Sequence, residues 1–290
     1  LIQHRHRDNF MPILWLASFP KSGNTWARAL LANYIAGSEA GVDINKLPAF
    51  ALADSGIWAY ERAAGRKLPD AALEDIMPLK PKAHAAIANI NQNLVFAKTH
   101  SALRVLHGVP TITPDVTAGA VYILRNPLDV VLSYADHYGL SHTDTVDAIS
   151  SENLITMGRA DRAPEYLGNW SAHVRGWTRA PGLARTVLRY EDMQADAGKA
   201  LRQVLNMLRQ PIDEAKILQA VSNSSFDALQ SQEALKGFNE KSRNQKRFFR
   251  AGTAGQWRTD LAPDLVTRMI EQHRDVMTEF GYLDADGNPT

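Results

Sequence analysis

Phe19-Pro20-Lys21-Ser22-Gly23-Asn24-Thr25-Trp26 is the stretch on which the fold turns. An apolar run, Ile13-Leu14-Trp15-Leu16-Ala17, leads into it, and a helix-like pattern, Trp26-Ala27-Arg28-Ala29-Leu30-Leu31-Ala32-Asn33-Tyr34, leads out. A strand, a tight turn and a helix in that order present free backbone N–H groups and the positive end of a helix dipole at one point. Lys21 and the hydroxyls of Ser22 and Thr25 fall in the turn itself, so the octamer reads as a seat for a phosphate or sulfate ester. It is not a Walker A loop, in which the lysine follows the second glycine. Here the lysine comes first and no upstream glycine completes the loop. Taken alone, the octamer also fits an ordinary strand-to-helix turn whose lysine is solvated and whose Ser or Asn caps the helix.

Composition bounds what surrounds the turn. The 290 residues suffice for one large domain with a substantial core, and 45% hydrophobic with 22% charged residues is ordinary for a soluble globular chain. A net charge of +1 gives no support to nucleic-acid binding. The positive charge is uneven, however: Lys236, Lys241, Arg243, Lys246, Arg247 and Arg250 fall in one segment against a single acid, Glu240. By itself such a run describes a solvated face or a loop. With no cysteine there is no disulfide, thiolate catalysis or cysteine-ligated zinc. No apolar run approaches the roughly 20 residues of a membrane helix, so no stable membrane anchor is expected. Residues 1–10 are basic and polar without an apolar stretch and read as an extension before a natural start at Met11, leaving 11–290 as the domain of an expected cytoplasmic enzyme.

Four apolar runs read as buried strands: Ile13–Ala17, Leu94–Ala97, Ala120–Leu124 and Thr186–Leu188. Helical patterns lie near 24–36, 127–137, 164–180, 196–208, 213–222 and 263–279. Buried strands separated by helices predict a single α/β domain with a central, mainly parallel sheet flanked by helices. Residues 36–93, with four prolines and the aromatic group Phe50, Trp58 and Tyr60, read as an irregular insertion. Ligands of open parallel sheets bind beyond the strands' carboxyl ends. There the sequence places Lys21 to Trp26, then Lys98-Thr99-His100, then Arg125-Asn126-Pro127-Leu128-Asp129 running into a helix with Ser133, then Tyr190-Glu191-Asp192.

In this order the motifs resemble the PAPS-dependent sulfotransferases, particularly the cytosolic type and its bacterial relatives, over about Ile13 to Leu283. The turn after the first strand resembles that family's 5′-phosphosulfate loop, and Arg125 through Ser133 its 3′-phosphate motif. Asn169-Trp170-Ser171-Ala172-His173-Val174-Arg175-Gly176-Trp177 and Tyr190-Glu191-Asp192-Met193 are further hallmarks. Arg250-Ala251-Gly252-Thr253-Ala254-Gly255-Gln256-Trp257 is similar to the C-terminal Arg-Lys-Gly-x-x-Gly-Asp-Trp signature.

The resemblance implies a P-loop-like fold and a set of roles. Lys21 contacts the 5′-phosphosulfate, cradled by backbone amides of Ser22, Gly23, Asn24 and Thr25 and by the Thr25 hydroxyl. Trp26 stacks on adenine, which Tyr190 and the Ser224-Ser225-Phe226 segment also approach. Arg125 and Ser133 hold the 3′-phosphate, and Arg250 with Gly252 closes over it. His100 is the general base, suited by a reference pKa near 6.5. Lys98 and Lys21 offset charge on the bridging oxygen as PAP leaves, with Ser133 drawing Lys21 aside until acceptor arrives. No metal is implied, and His137 and His142 read as helix-end or loop residues, with a place facing the acceptor open to either.

Ala251 and Gln256 depart from the signature's lysine and aspartate, so a cationic contact is missing unless Lys246 or Arg247 supplies it. The family's dimer segment is not recognisable in Thr259-Asp260-Leu261-Ala262-Pro263, which leaves the oligomeric state open. The expected reaction is sulfuryl transfer from PAPS to a hydroxyl or amine of a small-to-medium acceptor. A nucleotide kinase-like phosphotransferase and a non-catalytic PAP sensor are the alternatives. The acceptor pocket is expected from 36–93, the segment after Tyr138, and 230–249, where Phe238, Phe248 and Phe249 could cover acceptor or donor.

Overall fold

The apolar run before the turn forms a strand, β1 (Ile13–Ser18), buried at every residue. The chain is described by a computed structural model over residues 12–91 and 93–290, so the reading of residues 1–10 and of Met11 lies outside it. The remaining strands are β2 (Ala51–Ala53), β3 (Val95–Thr99), β4 (Val105–Leu106), β5 (Val109–Pro110), β6 (Thr117–Leu124) and β7 (Arg185–Arg189). Five of them make one sheet in the order β2-β3-β1-β6-β7, parallel at every pairing, while β4 and β5 form a separate antiparallel ribbon.

Both faces of the sheet are covered, as the near-continuous hydrophobicity of β1 and β6 requires. Side chains alternate across a strand. Trp15 of β1 therefore joins Tyr122, Trp170 and Trp177 in one cluster, and Leu14 and Leu16 join Leu30, Val121, Ile123 and Leu201 in the other. Trp15, Trp170 and Trp177 are each fully buried and are the three largest side chains of the core. Burial of such a side chain contributes upward of ~2 kcal/mol.

The strands run longer than their apolar cores. Lys98 and Thr99 pair with Leu16 and Ala17 inside β3 rather than following it, and β3 begins at Val95, not Leu94. β6 starts at Thr117 and β7 spans Arg185–Arg189, because parallel pairing uses the backbone whatever the side chain. The helix expected over 164–180 begins only at Trp170. Gly168 stands before it at φ +61°, and the Asn169 side chain caps it by accepting from Ala172 N at 2.7 Å.

The expectation of irregularity over 36–93 needs correction. The segment holds the edge strand β2, the helices Ile57–Ala64 and Lys80–Ala88, and several single helical turns. Pro48, Pro78 and Pro81 each sit in the first turn of a helix or 3₁₀ turn, where the missing N–H has no intrahelical partner to lose. They start elements rather than break them. Helices His142–Ser150 and Phe226–Lys236 also went unread in the sequence.

Candidate active site

The helix Asn24–Ala36 begins directly after the turn and carries neither a side-chain cap nor an acidic residue in its first turn. Its amide and dipole end is therefore left to a ligand. Lys21 at φ +68° and Gly23 at φ +100° bend the backbone into a concave loop. Glycine is required at 23 by space as well, since a Cβ would lie 2.6 Å from the Tyr190 ring. Asn24 turns inward: its Nδ2 donates to Leu16 O at 2.9 Å and to Ser18 Oγ at 3.3 Å, so its offering to a ligand is the backbone amide. Ser22 Oγ is buried without a hydrogen-bond partner in the protein.

A cavity of about 640 Å³ opens over this loop, lined by Lys21, Gly23, Asn24, Thr25, Trp26, Lys98, His100, Arg125, Ser133, Tyr190, Phe226, Arg250 and Gly252. The side chains expected at four strand ends thus meet around one space. Ser22 and Ser224 are not part of that lining. Ser224 is fully buried; its hydroxyl accepts from Asn33 Nδ2 at 3.1 Å and its carbonyl accepts from Trp26 Nε1 at 2.9 Å. It aims the Trp26 ring, which meets Tyr190 edge-on at 5.5 Å, instead of touching a ligand.

His100 is fixed on three sides. Its N–H donates to Glu165 Oε1 at 2.8 Å, its carbonyl accepts from His173 Nε2 at 3.0 Å, and its ring Nδ1–H donates to Ser18 O at 2.8 Å. The last bond sets the tautomer and leaves the Nε2 lone pair as the free ring acceptor. Burial first, then the Lys98 charge, pushes the imidazole well below its ordinary value of 6.5, so it is neutral at physiological pH.

Cations gather beside it. Lys21 is pushed down to about 7 by burial, with like charge from Lys98 and Arg125 adding to the effect. Its ammonium lies 4.2 Å from the centre of the Phe248 ring and 3.5 Å from His137 Nδ1. That nitrogen is a donor to Gln245 Oε1 at 2.9 Å, because the Gln245 amide is itself oriented by Asp136 at 2.7 Å. Lys21 therefore approaches His137 without bonding to it. His137 stands one turn beyond Ser133 on the same helix, Pro127–Tyr138, and burial followed by the Lys21 charge lowers it to about 4. No Ser133–Lys21 hydrogen bond is present among the described residues, so the restraint expected of Ser133 is not made here. Arg125 donates to Lys21 O at 3.1 Å and lies 4.3 Å over the Tyr190 ring, with Nε buried and unpartnered in the protein.

The C-terminal signature closes the cavity. Asp129 accepts from Gly255 N at 2.7 Å and Trp257 N at 3.2 Å, tying the signature to the Arg125 motif. Gln256, in place of the expected aspartate, accepts from Arg250 at 2.9 Å. Gly252 at φ +64° has no room for a Cβ, which would fall 2.1 Å from the Phe226 ring. Lys246 and Arg247 do not line the cavity; Lys241 does. The sequence reading missed Glu240 and offered His137 only as a helix-end residue or one facing the acceptor; Glu240 and His137 both line the cavity, and His142 does not. For His137 a signal existed in its four-residue spacing from Ser133 on one helix. Among the described residues no group of three or more His, Asp or Glu side chains could hold a metal, and no helix is long and apolar enough to cross a membrane.

The sulfotransferase domain family model matches residues 12–281. Luciferin sulfotransferase of Photinus pyralis is 23% identical over 273 residues, covering 88% of this chain and 69% of that protein. Sulfotransferase 2B1 of Rattus norvegicus is 26% identical over 146 residues, which is 49% of this chain and 42% of that protein; the chain thus spans under half of that relative's length. Among solved structures, retinol dehydratase in complex with androsterone and inactive cofactor PAP aligns with a TM-score of 0.64 at 18% identity, over 92% of this chain and 81% of that one. A mouse sulfotransferase complexed with PAP aligns with a TM-score of 0.57 at 20% identity, over 96% and 86% of the two chains. At these identities the structural matches establish a shared fold.

Proposed function

The chain belongs to the sulfotransferase domain family, and we propose that it transfers the sulfuryl group of PAPS to a hydroxyl, or an amine, of a small-to-medium acceptor and releases PAP. The observation that carries this reading is the His100 ring: a neutral imidazole whose Nδ1–H is bound to Ser18 O, in the wall of a cavity shared with Lys21, Lys98 and an uncapped helix N-terminus. A bond forms from the acceptor oxygen to sulfur while the bond from sulfur to the bridging oxygen of PAP breaks. The acceptor's proton passes to His100 Nε2, and Lys21 and Lys98 offset the charge that develops on the leaving oxygen.

The residues present fit a bisphosphorylated nucleotide. The helix end is uncapped, Arg125 Nε has no partner in the protein, and Gly23 and Gly252 are glycines where a Cβ would collide. Ser55, the 154–157 stretch with Tyr138 and Leu140, and Asn239, Lys241 and Ser242 line another part of the wall, which we assign to the acceptor. Phe248 touches Lys21, which favours its covering the donor end.

The deciding experiment supplies labelled PAPS with a panel of hydroxylated and amino metabolites and follows PAP release. Acceptor-dependent release supports the reading. Tight PAP binding with no transfer across the panel points to a sensor, and ATP turnover requiring Mg²⁺ overturns the sulfotransferase assignment. Within the same experiment, Arg125→Ala is expected to raise the Kd for PAP about 10- to 100-fold, the scale of one lost charge-assisted hydrogen bond. Its kcat at saturating donor should change little; the opposite split would show that Arg125 acts on the chemistry.

Lys21 gives a pH signature. An anion beside it restores its charge, so binding above pH 7 takes up a proton. PAP affinity should fall as pH rises beyond about 7, by at most about tenfold per unit. Titration calorimetry from pH 6 to 9 measures this directly. Lys21→Met should reduce the slope to whatever Lys98 contributes, and a level affinity in the unaltered chain would remove Lys21 from the anion seat.

A further inference from the structure

Two buried charges have no part in the roles above. Arg28, on the helix Asn24–Ala36, is 1% exposed. Its guanidinium grips Glu240 through Nη1–Oε1 at 2.8 Å and Nη2–Oε2 at 2.6 Å, and Nη2 also donates to Thr25 Oγ1 at 3.1 Å. The same Glu240 Oε2 lies 3.4 Å from Lys98 Nζ, and among the described residues it is the one carboxylate within ion-pair distance of that lysine. Glu240 belongs to the segment 237–256, which has no helix or strand and forms part of the cavity wall. That segment is tied down on either side of Glu240: Asn239 N donates to Asn45 Oδ1 at 2.9 Å, and Ser242 Oγ donates to His137 O at 2.6 Å.

One carboxylate therefore joins the covering segment to the phosphate loop, through Arg28 and Thr25, and to the end of β3 through Lys98. We propose that Glu240 is a positioning residue for the transfer reaction, holding the Lys98 ammonium beside His100 and making that placement depend on the 237–256 segment lying over the cavity. The inference rests on the sulfotransferase reading and extends it to how the site is assembled. Neutralising Arg28 alone would need only the bidentate contact; the third contact, to Lys98, is what gives Glu240 a role in the chemistry.

Charge supports the geometry. Burial drives Lys98 down from its ordinary value, and Glu240 is the largest opposing influence. Arg28 and Arg162 add repulsion and Glu165 a weaker attraction, while Lys21, His100 and His137 also face it. Without Glu240 the buried ammonium loses its proton at lower pH, and a neutral Lys98 cannot offset charge on a leaving oxygen.

The test compares the unaltered chain, Glu240→Gln, and the double variant Arg28→Gln/Glu240→Gln, reading kcat against pH and, separately, the Kd for PAP. Both variants should lose about tenfold or more in kcat at pH 8, with the alkaline limb of the profile moved to lower pH. Glu240→Asp should recover part of both. The double variant carries no unpaired buried arginine, so it remains informative if Glu240→Gln folds poorly. Restoration of the original kcat and alkaline limb in the double variant would show that Glu240 merely neutralises Arg28 and would overturn the inference. An unaltered profile in Glu240→Gln would overturn it too. If the unaltered chain itself transfers no sulfate to any acceptor, the reading beneath has failed instead.

Discussion

His100→Ala is expected to lower acceptor-dependent PAP release roughly 10²- to 10⁴-fold, the range for loss of a positioned general base, while PAP binding stays nearly unchanged. The separation follows from the geometry. The ring is held by Ser18 O at Nδ1, and nothing in the phosphate loop depends on Nε2. The two neighbours that fix the backbone, Glu165 through N–H and His173 through C=O, keep their bonds when the ring is removed. Because burial and the Lys98 charge hold the imidazole well below 6.5, it stays unprotonated as pH falls. The acid limb of kcat should therefore appear only well below pH 6.5 and should vanish in the residual activity of the variant. An unchanged kcat in His100→Ala, or a loss confined to PAP affinity, would remove His100 from proton transfer.

What the sequence disclosed was whatever sits in one contiguous stretch at a strand end. Lys21 to Trp26, Lys98 to His100 and Arg125 to Ser133 each carry their chemistry within a few residues of an apolar run, and parallel pairing of β1 with β3 and β6 brings those runs side by side. Contacts between distant residues leave no such local mark. Arg28 and Glu240 meet across 212 positions, and each looked like an unremarkable charge on a helix or in a basic loop. Side-chain direction was equally hidden: Asn24 and Ser224 stand next to the cavity in sequence, but Leu16 O accepts from the Asn24 amide nitrogen and Asn33 donates to the Ser224 hydroxyl. The insertion 36–93 misled because its prolines were counted as breakers, although three of them occupy first-turn positions. Its most consequential residue, Asp54, lies in Leu52-Ala53-Asp54-Ser55-Gly56, a string that suggests only a turn.

Asp54→Ala should be the most destabilising single change in the region of the site, by about 3–5 kcal/mol, the cost of stranding one member of a buried ion pair. The carboxylate is fully buried and accepts from Lys80 Nζ at 3.0 and 3.2 Å, His84 Nε2 at 2.7 Å, Tyr60 OH at 3.1 Å, Thr99 Oγ1 at 2.9 Å and Ser101 Oγ at 3.0 Å. Burial by itself would raise its pKa, but the Lys80 and His84 interactions outweigh it and keep the group ionised far below the usual carboxylate range. Lys80, 1% exposed, has no other carboxylate in ion-pair range among the described residues, so alanine at 54 leaves its ammonium uncompensated. The same group reaches the chemistry. Asp54 N donates to Lys98 O at 2.8 Å, so Asp54 grips Lys98, Thr99 and Ser101 on either side of His100. Denaturant unfolding measures the stability loss, and kcat at a temperature where the variant is still folded measures the displacement of His100. A double change, Asp54→Leu with Lys80→Met, removes both charges and should regain only the part of the stability lost to the stranded ammonium, without regaining kcat, because Tyr60, His84, Thr99 and Ser101 still lack their acceptor. Recovery of kcat along with stability would mean that the buried pair supports the fold and leaves His100 where it was.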